Sequence, residues 1–214
     1  MLLFVLSAIV LGDAPELAKT PEFIAFQKLL NAKKTFSVSF VRRRFGAELK
    51  GEDRPDYTEV AISLPDKIRV RTFRIGVTWN GHEGIWFDNA ARTYHPLAQL
   101  PPQEDLSALG IPLPKAPRPL AFKNQEVFQM TRSLPGGGKW VGWRFDSYHI
   151  DAGGSGEWWF DKKTKCLTAA SFQSLGPMAP EEIIQYSNIS FKFSVLPRDA
   201  FDVTPPLGYK RLAE

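Results

Sequence analysis

The sequence has few of the residues that form disulfide bonds and metal sites, and it lacks the long apolar run of a membrane-spanning helix. It contains one cysteine, Cys166, in 214 residues, so an internal disulfide and a multi-cysteine metal site are both excluded. The three histidines, His82, His95 and His149, are too far apart to give the i, i+4 pair of a helical zinc site. An apolar run of about 20 residues, which a membrane-spanning helix needs, is also missing.

The short motifs of nucleophilic and phosphate-binding enzymes fail at single positions. Ser155 lies among glycines, but Glu157 stands where a nucleophile elbow requires glycine. Lys139 follows a glycine run, but Trp140 replaces the Ser or Thr that would reach magnesium in a phosphate loop. We therefore predict no catalytic residue, no metal and no cofactor. An enzyme remains the third interpretation, and it would need a polar cluster such as His149 beside Asp146 or Asp151.

Charge argues against nucleic acid as a partner. The net charge is +4 and the pI about 9.2, and the only dense basic run is Arg42-Arg43-Arg44. On a strand, Arg43 points away from its two neighbours, whereas nucleic-acid binding favours basic residues gathered on one face. An acidic partner or an anionic membrane surface stays possible.

The first residues, MLLFVLSAIVLG, form an apolar run of the length typical of a signal peptide. We predict that residues 1–14 are a signal peptide or its remnant, which indicates a periplasmic or other extracytoplasmic location. The alternative is a buried N-terminal segment. Residues 15–214 then form a single domain. No cysteine ends the run, so we do not expect the protein itself to be a lipoprotein.

One helix precedes a chain of strands. The region from Pro15 to Lys34 is helical in pattern, and Thr20-Pro21-Glu22 gives a good helix start. From Thr35 the apolar period changes to two, which indicates strands with one apolar face. The Asn80-Gly81 pair predicts a hairpin with a type I′ turn, and Asp88-Asn89 predicts the next turn. Further strands fall within 57–64, 67–73, 141–145, 157–161, 167–173 and 182–195, with Gly153–Gly156 as a turn.

A proline-rich segment, 101–119, interrupts the strands. Loops of this length are usually lids, binding loops or linkers. We favour a lid that contains a short helical turn, because its apolar residues are too many for a solvated linker. These residues are Leu106, Leu109, Ile111 and Leu113.

The economical fold is one curved antiparallel sheet of about ten strands, closed or partly closed, with helices on its apolar face. The chain is mainly β. Its aromatic content of 13% fits two interpretations of that face. Side chains can fill it as a core, which is the default for small barrels, or it can hold a long apolar ligand.

Four segments, in this order, resemble the LolA-like superfamily of bacterial outer-membrane lipoprotein carriers and lipoprotein-sorting-like proteins. They are KKTFSVSFVRRRF (33–45), SLPDKIRV (63–70), WNGHEGIWFDNAARTYHPL (79–97) and AFDVTPPLGYK (200–210). The resemblance covers nearly the whole chain after the leader. It implies an open, half-closed antiparallel β-barrel whose concave apolar side is plugged by helices.

The resemblance also implies a carrier that binds a lipid or lipoprotein acyl chain. We expect the protein to be a monomer, with a membrane-associated protein as a further candidate partner. The residues expected to line the cavity are Phe36, Val38, Phe40, Val60, Ile62, Ile68, Val70, Ile85, Phe87, Trp143, Trp158, Phe191 and Phe193. One position departs from the carrier: Leu64 stands where the carrier has an arginine before the proline, so its release mechanism is not transferred. The alternative is a periplasmic sensor or protein-interaction module of the same fold without a transport role.

Overall fold

One helix and one large sheet make up the part of the chain that the computed structural model describes, which is residues 19–46, 55–63, 65–99, 125–133, 138–148, 153–175 and 182–212. The helix, α1, is Pro21–Lys33. The strands of the first half are β1 (Thr35–Gly46), β2 (Asp56–Ser63), β3 (Lys67–Thr72), β4 (Ile75–Trp79), β5 (Gly84–Asp88) and β6 (Thr93–Leu97). Those of the second half are β7 (Gln125–Ser133), β8 (Lys139–Tyr148), β9 (Gly153–Asp161), β10 (Leu167–Leu175), β11 (Glu182–Lys192) and β12 (Lys210–Arg211).

The strands form a single sheet in the order β12-β6-β5-β4-β3-β2-β1-β11-β10-β9-β8-β7. Neighbours are antiparallel except β12, which runs parallel to β6. Within the described residues β7 and β12 are the two edges and do not pair with each other, so the sheet is open. The predicted mainly β chain with one large antiparallel sheet is therefore confirmed, with twelve strands in place of about ten. The described strands form an open sheet, as the resemblance implies, and do not close into a barrel.

Helix α1 begins at Pro21 because proline fits the first helical position, where no backbone N–H is required. Thr20 precedes it with extended backbone angles. The helix ends at Lys33, and the next residue, Lys34, takes a positive φ of 53° and donates its backbone N–H to the Leu30 carbonyl at 3.3 Å. Among the described residues no helix is long and apolar enough to cross a membrane.

Three local predictions need correction. The hairpin at Asn80-Gly81 forms, but its turn is not type I′, because only Gly81 takes a positive φ (105°). Instead the Asn80 side-chain oxygen accepts hydrogen bonds from the backbone N–H groups of His82 and Glu83, both at 3.0 Å. The glycines of 153–156 lie in strand β9 rather than in a turn. Strands β7 and β12 were not predicted, because β7 is largely polar and β12 has only two residues.

Two β-bulges change which residues of a strand share a face. Opposite Phe40 of β1, strand β11 has two residues, Asn188 and Ile189, between its paired positions. Asn188 takes a φ of 54° there, a conformation that asparagine tolerates better than most residues. A second irregularity lies at Thr168 of β10. Each extra residue shifts the alternation by one position, so residues on both sides of a bulge can point to the same face.

The predicted leader (1–14), the predicted lid (101–119) and Leu64 lie outside the described residues.

Candidate ligand-binding face

The face of the sheet that carries α1, here called the inner face, holds a continuous apolar cluster. Strand register places Phe36, Ile62, Ile68 and Trp79 in one row across β1 to β4. The adjacent row contains the valines Val38, Val60, Val70 and Val77. Every one of these side chains is at most 8% exposed. Alternation at a period of two therefore places a band of apolar side chains four strands wide on one face.

Helix α1 lies against the inner face through its buried residues Phe23, Phe26 and Leu30. The Phe26 ring is 5.1 Å from that of Phe191 in an edge-on geometry and 5.9 Å from that of Phe160.

A hydrogen bond fixes the first turn of the helix, because Trp143 Nε1 donates to Glu22 Oε2 at 2.7 Å. Glu22 and Phe26 thus join α1 to strands β8, β9 and β11.

An aromatic group connects the helix region to the first strand. Phe191 stacks on Phe193 at 6.0 Å between ring centroids, and both rings lie about as far from Phe36, at 6.2 and 6.1 Å. Phe191 and Phe193 are only partly buried, in contrast to Phe36 at 1% exposure. These two rings, together with Trp143, are therefore more accessible than the other inner-face residues of the predicted lining.

The structure brings together all but two of the residues predicted to line a cavity. Phe36, Val38, Phe40, Val60, Ile62, Ile68, Val70 and Trp158 belong to the buried cluster, and Trp143, Phe191 and Phe193 pack against it.

Ile85 and Phe87 lie on the opposite, outer face, because their register partners are Thr78 and Gly76. The Phe87 ring packs there over Gly76 and against Tyr209, with ring centroids 6.0 Å apart.

Several members of the cluster were not predicted as lining. Val77 and Trp79 alternate on β4, and Phe160 follows the predicted Trp158 by two residues on β9, so their spacing could have identified them. Leu167 and Tyr186 could not be assigned in this way, because the bulges of β10 and β11 reverse the alternation beside them. Phe23, Phe26 and Leu30 were predicted to form the face of the helix that covers the core, and were not predicted to line a cavity.

Polar groups border the apolar cluster at one end of β1 and β2. Arg42 and Asp56 face each other in the register, with 3.8 Å between Arg42 Nη2 and Asp56 Oδ2, and remain 21% and 27% exposed. Thr58 comes next on the same face and is 1% exposed. Its Oγ1 is buried without a hydrogen-bond partner, and so is Nε1 of Trp86 elsewhere on this face.

Hydrogen bonds of charged and C-terminal side chains lie on the outer face of the sheet, which is the face opposite α1. The Arg69 guanidinium donates to Glu59 Oε1 at 2.8 Å and to the Ala200 carbonyl at 3.0 Å. Tyr209 donates its hydroxyl to Asn89 Oδ1 at 2.6 Å. These bonds attach the C-terminal segment to the sheet on the side away from α1.

The described residues contain no group of three or more His, Cys, Asp or Glu side chains placed to hold a metal ion. Cys166 is 9% exposed, and burial raises the pKa of its thiol, which disfavours the reactive thiolate. The side chains of His149, Asp146 and Asp151 lie outside what the structure describes.

No family model and no curated protein matches the sequence. Several solved structures are similar to it. A LolA superfamily protein from Nitrosomonas europaea is 10% identical with a TM-score of 0.33, and the match covers 82% of this chain and 96% of that chain. A putative outer membrane lipoprotein-sorting protein domain from Vibrio parahaemolyticus is 8% identical with a TM-score of 0.35, covering 84% of this chain and 95% of that chain.

Proposed function

We propose that this chain is a non-enzymatic, extracytoplasmic binding or carrier protein, and that the inner face of its sheet receives the acyl chain of a lipid or lipoprotein. The sequence motifs support this proposal through the resemblance described above. The observation that carries it is the extent of the apolar inner face compared with what one helix can cover.

Within the described ranges α1 is the helix that lies on this face, and by itself it is too narrow to account for the whole face as a helix-packing surface. An α-helix with its side chains is about 10–12 Å across, and neighbouring strands are about 4.8 Å apart, so one helix covers two or three strands. The contacts of Glu22 and Phe26 lie on β8, β9 and β11. The rows of Phe36 and Val38 continue the apolar surface across β1 to β4.

An acyl chain matches a surface of this kind because its affinity comes from apolar burial alone, at about 0.8 kcal/mol for each methylene. The side chains of β1 to β4 are already buried in this structure. A ligand must therefore displace whatever covers them, and its net affinity is the gain from burial less the cost of opening. A carrier needs such a balance, because the cargo has to leave again.

The same burial favours a second candidate. If the inner face is simply a packed core, the chain is a sensor or protein-interaction module of this fold, with contacts on its outer face or sheet edges. The two candidates differ in one measurable property, which is whether the purified protein takes up acyl chains.

The deciding experiment is native mass spectrometry with lipid extraction on protein purified from a bacterial periplasm, repeated after addition of palmitate and of a triacylated lipopeptide. We expect acyl chains to co-purify or to bind on addition. Phe191→Ala, which removes a half-buried ring beside α1, should lower the bound fraction. Phe73→Ala is the matched control, since Phe73 is 90% exposed, and it should bind as the unaltered chain does. A folded protein that carries no lipid and rejects both probes would refute the carrier and leave the interaction module.

A further inference from the structure

We propose that Thr58 anchors the carbonyl oxygen of the bound acyl group, so that the ligand lies with its head toward the Arg42–Asp56 pair and its tail toward Trp79. This inference rests on the proposed function and adds a subsite and a direction of binding to it. The ligand class is an acyl ester, amide or acid, whose carbonyl oxygen accepts a hydrogen bond.

The hydroxyl of Thr58 is the observation that requires an explanation. It is buried on the inner face without a partner, and a buried polar group left unsatisfied destabilises a protein. Its neighbour across the sheet cannot supply a bond. Thr72 pairs directly with Thr58, but its hydroxyl already donates to the Ile75 carbonyl at 3.1 Å. It also accepts from the backbone N–H groups of Arg74 and Ile75, at 3.2 and 2.9 Å, so its one proton and both lone pairs are used. An acceptor brought by a ligand would satisfy the Thr58 group.

The position of Thr58 gives the binding direction. On one side along β2 lies Val60, which is 1% exposed and inside the apolar cluster. On the other side lies Asp56, which pairs with Arg42 and is partly exposed. The inner face therefore passes from apolar to hydrogen-bonding to charged within five residues of one strand. An acyl lipid has the same sequence of tail, carbonyl and polar head.

The length of the apolar band is compatible with a fatty-acyl tail. From Thr58 to Ile62 the strand advances four residues, about 14 Å at roughly 3.4 Å per residue. The row of Phe36, Ile62, Ile68 and Trp79 stands at that far end. Most of the tail can thus lie on apolar side chains between Val60 and that row while the carbonyl stays at Thr58.

The test measures binding of palmitate and of a triacylated lipopeptide to the full chain carrying Thr58→Val, which keeps the side-chain shape and removes the hydroxyl. We expect affinity for both probes to fall about fivefold, the ratio typical of one hydrogen bond, while the melting temperature stays equal or rises. Thr58→Ser retains a hydroxyl and should keep the affinity. Thr78→Val is the matched control, because Thr78 is also buried but points to the outer face. An additional Arg42→Gln variant distinguishes a free fatty acid from a lipopeptide as the ligand. It should weaken the binding of palmitate, which has a carboxylate, more than the binding of the lipopeptide.

The direction in which the acyl chain binds is measured separately, by nuclear magnetic resonance with stearic acid that carries a spin label at carbon 5 or carbon 16. The carbon-5 label should broaden the backbone signals of Thr58 most, and the carbon-16 label those of Ile62. Unchanged affinity of Thr58→Val, or the reverse broadening pattern, would overturn this subsite while leaving the carrier function intact. Absence of binding by the unaltered chain would instead overturn the carrier function itself.

Discussion

The ring of Phe26 tests how firmly α1 is held on the inner face. Phe26 is 1% exposed and contacts Phe191 and Phe160 at 5.1 and 5.9 Å between ring centroids. Burying such a side chain contributes about 1.5–3 kcal/mol by transfer from water. Truncation also leaves a cavity, so Phe→Ala substitutions in cores cost about 3–5 kcal/mol in total. We expect Phe26→Ala to lower the free energy of unfolding by that amount.

This loss is large compared with the roughly 5–15 kcal/mol that stabilises a typical domain. In a chain of this size it corresponds to a fall in melting temperature of roughly 6–20 °C, at about 2–4 °C per kcal/mol. The assay is urea unfolding followed by circular dichroism and tryptophan fluorescence. Ile24→Ala is the control on the same helix, because Ile24 is 40% exposed, and it should cost less than about 1 kcal/mol.

A loss below about 1.5 kcal/mol for Phe26→Ala would refute the docking of α1 on β9 and β11. A double-mutant cycle with Phe191→Leu isolates the ring contact from the rest of the burial. Its coupling energy should be about 0.5–1.5 kcal/mol, the range for an aromatic pair in edge-on geometry. Zero coupling would show that the two rings do not interact in solution.

Three further predictions concern the outer face and one turn. Arg69→Met removes the hydrogen bonds to Glu59 and to the Ala200 carbonyl and should lower the free energy of unfolding by about 1.5–3 kcal/mol. Backbone amides around Ala200 should also exchange faster with solvent, and unchanged exchange there would contradict the attachment of the C-terminal segment. Lys165→Gly should stabilise the chain by about 0.5–1 kcal/mol in thermal unfolding, because Lys165 has a φ of 62° that favours glycine, and a lower melting temperature would count against it. The backbone N–H of Thr164 lowers the pKa of Asp161, so the stability that this carboxylate contributes is complete above the ordinary aspartate pKa of about 4 and is lost as pH falls through the lower folded pKa. The free energy of unfolding of Asp161→Asn should therefore change less with pH in that acidic window than that of the unaltered chain. An equal dependence on pH in the two proteins would contradict the lowered pKa of Asp161.

Local sequence determined the elements whose signals are local. The helix start at Thr20-Pro21 needs only a proline at the first helical position, and the observed helix begins there. Strands β2 and β3 agree with prediction to within one residue, because strict alternation of apolar and polar residues marks a half-buried strand. The row of inner-face residues on these strands follows from the same alternation.

Tertiary structure decided which face of each strand points inward. Alternation states that residues i and i+2 share a face, but it does not state which face meets the core. Ile85 and Phe87 alternate as regularly as Val60 and Ile62, yet they point outward. There Tyr209 of the C-terminal segment packs against Phe87. The C-terminal segment is far from β5 in the sequence, so the local pattern of β5 does not predict this contact.

The bulges are the second feature that only the folded chain reveals. Asn188 shifts the alternation of β11, and this shift lets Tyr186 and Phe191 join the same apolar cluster. The composition of the chain determined that it has an apolar, aromatic sheet face. Long-range strand pairing, whose register and bulges depend on the neighbouring strand, decided that this face ends at an unsatisfied Thr58 hydroxyl beside an ion pair.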